Sequence, residues 1–92
     1  MGQGERVDYA DAARLSASVD RIFAALADPH RRRAVELLGE RPHSAGELAG
    51  ALALSPPALS RHLRLLKASG LVDERHPEFD ARVRVYSLKD GA

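Results

Sequence analysis

Cysteine is absent from the 92 residues, and that one absence excludes disulfides, thiolate zinc sites, iron–sulfur clusters and cysteine nucleophiles together. No apolar run approaches the roughly 18 residues that a membrane helix needs, and the N-terminus lacks the charged-then-apolar pattern of a secretion signal. Nothing repeats, and no segment is of low complexity. There is no glycine-rich phosphate loop, no elbow around a serine, and no nucleophile with a base at hand. An enzyme is not expected, and neither catalytic residues nor cofactors are assigned. Net charge is small, +1. A soluble, cytoplasmic protein without membrane contact follows as the expectation.

What is present suits one small domain. Apolar residues reach 45%, normal for a globular chain and too many for a disordered one. Residues 1–8 lack periodicity and contain two glycines, so they read as a disordered leader to a domain over 9–92. Leu15, Val19, Ile22 and Leu26 recur at helical spacing with Phe23 alongside, which predicts a helix from about 11 to 27. Asp28-Pro29 ends it and caps a second helix, anchored by Val35, Leu37 and Leu38 as far as Gly39. These two helices are expected to form the platform on which the next two pack.

Ser44-Ala-Gly-Glu47 has the form of a capping box and opens a short helix over about 45–52. Ser55-Pro56 opens another, over about 56–69, closed by Gly70 at the position where a left-handed turn is needed. Two short helices joined this tightly form a helix-turn-helix candidate. The pattern then alternates in 71–75 and 82–88 around His76–Ala81, predicting a β-hairpin with a loop of about six residues. The fold class is therefore mainly α with a small β-hairpin that follows a helix-turn-helix.

Charge is uneven along this frame. From residue 48 to 72 there is no acid, only Arg61, Arg64 and Lys67 with His62. Projected at 100° per residue, Leu59, Leu63 and Leu66 fall within about 40° of one line, and Pro57, Arg61 and Arg64 lie opposite. A small, cationic helix start fits the major groove of double-stranded DNA, where base edges can be told apart. Arg61 is expected to read a base. Arg64, Lys67, Ser60 and Ser55 would hold phosphates or bases, and the Pro57 ring would touch a thymine methyl. Arg82 and Arg84 on one face of the hairpin, and Arg75 on its other strand, would follow the neighbouring backbone. His62 reads as a half-buried histidine bonded to backbone or phosphate, His30 as a surface residue and His43 as a turn residue. His76, Glu78 and Asp80 make a poor metal site in a loop, and no metal ligand is assigned. Arg32 or Arg33 is expected to pair with Glu36. Phe79 is open between packing on the wing and exposure. The competing reading is a winged-helix module that binds another protein.

The run Ala24-Ala-Leu-Ala-Asp-Pro-His-Arg-Arg-Arg-Ala-Val-Glu-Leu-Leu38, then Leu54-Ser-Pro-Pro-Ala-Leu-Ser-Arg-His-Leu-Arg-Leu-Leu-Lys-Ala-Ser-Gly-Leu-Val72, with Arg82 and Tyr86-Ser-Leu88, resembles the ArsR-type winged helix-turn-helix repressors. The resemblance covers residues 19–88. It implies a winged helix-turn-helix fold and a dimeric transcriptional repressor with 56–69 as recognition helix and about 72–88 as wing, and it matches Ser55, Pro56, Ser60, Arg61 and His62 to DNA-contacting positions. Metal-sensing members carry a Cys-x-Cys pair where this chain has Ala45-Gly-Glu47. Relatives also use a closing helix for dimerisation that this sequence does not reach, so a homodimer is expected to rest mainly on residues 9–27. Its two recognition helices would meet an imperfect palindromic operator.

Overall fold

The computed structural model describes residues 9–80 and 82–89. The leader expected over 1–8 lies outside the described residues. Within them the order is α1 (Tyr9–Ala25), α2 (Pro29–Glu40), β1 (His43–Ser44), α3 (Ala45–Leu52), α4 (Pro56–Ala68), β2 (Val72–Arg75) and β3 (Val85–Leu88).

The helices α2, α3 and α4 each start where a side chain takes over an orphan backbone donor. The Asp28 carboxylate accepts from the His30 N–H at 2.7 Å and the Arg31 N–H at 3.3 Å, with Pro29 in the first turn. Ser44 and Glu47 form the full reciprocal box: Ser44 N–H donates to Glu47 Oε1 at 2.9 Å and Glu47 N–H to Ser44 Oγ at 3.1 Å. Ser55 Oγ accepts from the Ala58 N–H at 3.3 Å and opens α4. Gly70 takes φ +83°, the left-handed conformation anticipated from its place after α4. The tight link after α3 turns by the same means at Ala53, φ 54°, where an alanine accepts a conformation that glycine would adopt without strain.

The core is a leucine cluster. Leu59, Leu63 and Leu66 of α4 are 3%, 2% and 0% exposed, and they meet Leu37 and Leu38 of α2, Leu48 and Leu52 of α3, Val72 and Tyr86. The inward ridge of α4 is thus where its periodicity put it. Three features depart from the sequence reading. First, α1 runs from 9 to 25 rather than 11 to 27, and its stripe does not join the core: Leu15, Val19 and Phe23 stay exposed, and Ala25 is the buried residue of the helix. Second, His43 is no turn residue. It is 5% exposed and belongs to β1, which adds a third strand in the antiparallel order β1-β3-β2, with His43 facing Tyr86 and Val72 facing Leu88. Its Nδ1–H donates to the Arg41 carbonyl at 2.8 Å, so burial leaves that nitrogen satisfied. Third, β3 begins at Val85, so Arg82 and Arg84 precede the strand instead of sharing its face.

Candidate nucleic-acid interface

Capping, register and core packing together decide what α4 shows to solvent. Because Leu59, Leu63 and Leu66 are drawn into the core, Pro56, Pro57, Arg61, Arg64 and Lys67 are exposed, and Ser60 and His62 are half-buried on the flanks. Ser55 is exposed at the cap. Its oxygen is taken by the Ala58 N–H, which leaves the hydroxyl proton to donate outward. Among the described residues no hydrogen bond or ion pair engages the side chain of Arg61 or Arg64. Both guanidiniums are available to a ligand.

Lys67 differs from them. Its ammonium is paired with Glu74 on β2, a carboxylate whose side chain is only 16% exposed. Ser60, Arg64, Lys67, Glu74, Arg84 and Tyr86 line one polar groove between α4 and the sheet. The hydrogen bond from Lys67 holds the Glu74 carboxyl below its ordinary range against the opposing effect of burial, with the positive charges of Lys67, His76 and Arg84 adding to it. Burial, with the Glu74 charge beside it, pushes the Tyr86 phenol up. Lys67 is thus partly spent inside the domain, as a clamp between recognition helix and wing. The linkage has a definite sign. A carboxyl depressed in the folded state contributes stability above its unfolded pKa and loses it as pH falls through the folded one. Acid unfolding of the wild type should therefore include a loss below the ordinary glutamate range that Glu74→Gln removes. The size is modest, roughly 0.2–1 kcal/mol for a partly exposed pair. Equal acid limbs for the two proteins would show that the pair carries no stability.

The wing arginines are placed differently from one another. Arg75 is exposed on β2. Arg82 is exposed too, but its backbone N–H and Nε both bond Asp80 Oδ1, at 2.9 and 3.3 Å. Arg84 is half-buried beside the groove. Phe79 is 85% exposed, so it does not pack on the wing. Arg75, Arg82 and Arg84 therefore form a scattered fringe beside α4, not a single strand face.

The arginines of α2 hold the platform together. Arg33 lies 3.9 Å from Glu36, in line with the expected pairing. Arg32 Nη1 donates to the Leu26 carbonyl at 2.8 Å. Arg31 was not singled out by the sequence, yet it joins three elements. Its Nε and Nη2 donate to the Ala25 and Ala24 carbonyls at 2.7 and 3.2 Å, and Nη1 donates to His62 Nδ1 at 3.1 Å. His62 is therefore bonded to a side chain of α2 through Nδ1. His30, exposed as expected, faces it with ring centroids 5.5 Å apart. The available signal was the A-D-P-x-R spacing, which sets an arginine three residues after the α2 cap, where it can turn back on the end of α1.

Residues 28–74 match the family model of bacterial regulatory proteins of the arsR family. The chain belongs to this family. It is a family of regulators and not of enzymes. The matched span takes in the α2 cap, the helix-turn-helix and the first wing strand, the parts whose geometry has just been given. The arsR-family chain is 50% identical over 58 residues to the HTH-type transcriptional regulator Rv2034 of Mycobacterium tuberculosis, covering 63% of this chain and 54% of that protein. It is 34% identical over 62 residues to the transcriptional repressor SdpR of Bacillus subtilis, covering 66% and 69%. The match therefore spans about half the length of the first and two thirds of the second. Among solved structures, the homodimeric winged helix-turn-helix DNA-binding domain Mb0332 of Mycobacterium bovis superposes with a TM-score of 0.78 at 26% identity, over 90% of this chain and 72% of that one. The expected winged helix-turn-helix fold is thus confirmed. No helix among the described residues is long and apolar enough to cross a membrane.

Proposed function

We propose that the protein is a cytoplasmic DNA-binding transcriptional repressor that acts as a homodimer and sets α4 in the major groove. One observation carries the reading. The outward side of α4 presents Arg61 and Arg64 without internal partners, in a stretch free of acids, on a helix whose opposite side is locked into the core. In this reading Arg61 takes a base edge. Arg64, Ser55 and Ser60 hold phosphates, Pro56 and Pro57 lie against the groove floor, and His62 approaches the backbone through Nε2. Lys67 contributes mainly by holding the wing. Arg75, Arg82 and Arg84 lie along the flanking backbone.

Dimerisation is assigned to residues 9–27, supported by the exposed apolar stripe of α1 and by the homodimeric state of the Mb0332 domain. The repressor role is supported by SdpR. Two-fold symmetry would place the recognition helices in successive major grooves, about 34 Å apart, on an imperfect palindrome.

Selection of bound fragments from random duplex DNA tests this in one step. The enriched sites should be imperfect palindromes with half-sites one helical turn apart. Binding to them should weaken steeply with salt, with a log–log slope near about −5 for six phosphates contacted per dimer. Arg61→Ala should cost roughly 1–3 kcal/mol and relax one base position per half-site. Uniformly weaker binding to all sequences would make Arg61 a phosphate ligand. Failure to enrich any DNA would leave the protein-binding module as the reading.

A further inference from the structure

Asp28 and His30 open α2, and His62 lies 32 positions further on in α4, yet the fold brings them together. One carboxylate oxygen and one ring nitrogen from each histidine all lie within 4.8 Å of one another. Asp28 Oδ1 and His30 Nδ1 are 3.5 Å apart. Two ligands bound 2.0–2.1 Å from a tetrahedral ion must stand about 3.3–3.5 Å apart, so this pair already has the spacing. His62 brings a partner of its own. The Arg31 guanidinium that touches His62 Nδ1 can only donate. That nitrogen is therefore the acceptor, and its lone pair is taken up by Arg31 Nη1.

We propose that Asp28, His30 and His62 form a site for a transition-metal dication of the Zn²⁺, Co²⁺ or Ni²⁺ class, with water completing the shell. Two imidazoles and one carboxylate suit these borderline ions. Ca²⁺ and Mg²⁺ want more oxygens than the cluster offers, and a chain without cysteine offers no thiolate to Cu⁺. The positive end of the α2 dipole opposes a cation here, and the full charge of Asp28 answers it. Partial burial works against that charge, but the His30 and Arg31 backbone N–H groups and the nearby His62 and Arg31 keep the carboxyl below its ordinary range. Arg31 is the competitor. Its Nη1 occupies the direction from which an ion would approach His62, so binding displaces that contact. The same guanidinium holds the last carbonyls of α1. Occupancy would therefore be felt at both the recognition helix and the end of α1.

The test needs no DNA, so its failure leaves the DNA reading standing. The full chain is titrated with Co²⁺, followed by visible d–d absorption, and with Zn²⁺ by calorimetry. One ion per chain is expected. Asp28→Asn keeps an equally good helix cap while removing the anionic ligand, so unfolding should not confuse its result. Asp28→Asn, His30→Ala and His62→Ala should each weaken binding by roughly tenfold or more. His76→Ala should leave it unchanged, and Arg31→Ala should tighten it. No binding, binding that survives all three ligand substitutions, or a loss with His76→Ala as large as with His62→Ala would overturn the site.

Discussion

Replacing Leu66 by alanine should remove about 2–5 kcal/mol of folding stability, while the same change at the adjacent Leu65 should cost about 0.5 kcal/mol or less in the isolated chain. The two leucines are identical in chemistry and neighbours in sequence, but Leu66 is 0% and Leu65 50% exposed. Leu66 stands where α4 packs onto the leucines of α2 and α3, beneath Val72 and Tyr86. Truncation leaves a cavity that these elements can close only by moving away from positions fixed by three N-caps. Small domains hold only about 5–15 kcal/mol in total, so a loss of this size is a large share. Thermal unfolding by circular dichroism should fall by roughly 8 °C or more for Leu66→Ala. Equal melting of the two variants would place the core elsewhere, and the outward face of α4 would lose its physical basis.

The contrast between neighbouring leucines shows which parts of the architecture local pattern can carry. The α4 ridge, the Ser44–Glu47 box and Gly70 were readable because each rests on a spacing of four residues or fewer, or on one backbone angle. β1 was not. Two residues have no period, and His43 becomes a strand residue only by pairing with Tyr86, forty-three positions later. The clamp on Lys67 was hidden as well, since Glu74, seven positions on, reaches it only after the chain has turned back into the wing. The start of β3 was misplaced because Arg82-Val-Arg84 alternates like a strand, while Asp80 gathers the backbone and side chain of Arg82 into a turn instead. Of the site, the exposed side of α4 followed from the hydrophobic stripe. The cluster of Asp28, His30 and His62 did not, because it depends on the crossing of two helices, and no single-helix projection contains that crossing.

Phe23→Asp should convert the protein from dimer to monomer and lower its affinity for a two-half-site operator by roughly 10²–10⁴-fold, the gain that linking two binding modules ordinarily provides. The amphipathic pattern of α1 sets an apolar face on the helix, and the fold's own core does not cover it. Leu15, Val19 and Phe23 lie within about 80° of one line on the helix, yet they are 68%, 40% and 69% exposed. A mostly apolar recess near the end of α1 is lined by Ala24, Ala25, Leu65 and Ala68, together with Arg21, Arg31 and Ser69. In the proposed dimer a second copy of the chain, related by a two-fold axis, would offer the same apolar surface in return. Burying an unpaired carboxylate there would cost more than the lost phenyl contact. Because Phe23 makes no part of the core, the variant should melt as a folded chain. Phe79→Asp controls for a charge introduced at an exposed aromatic on the wing, and should leave assembly untouched. Sedimentation equilibrium reads the mass, and retardation of operator and half-site fragments reads the affinities. A Phe23→Asp protein that still sediments as a dimer would move the interface off α1. A monomer that holds the operator as tightly as wild type would instead separate dimerisation from DNA binding.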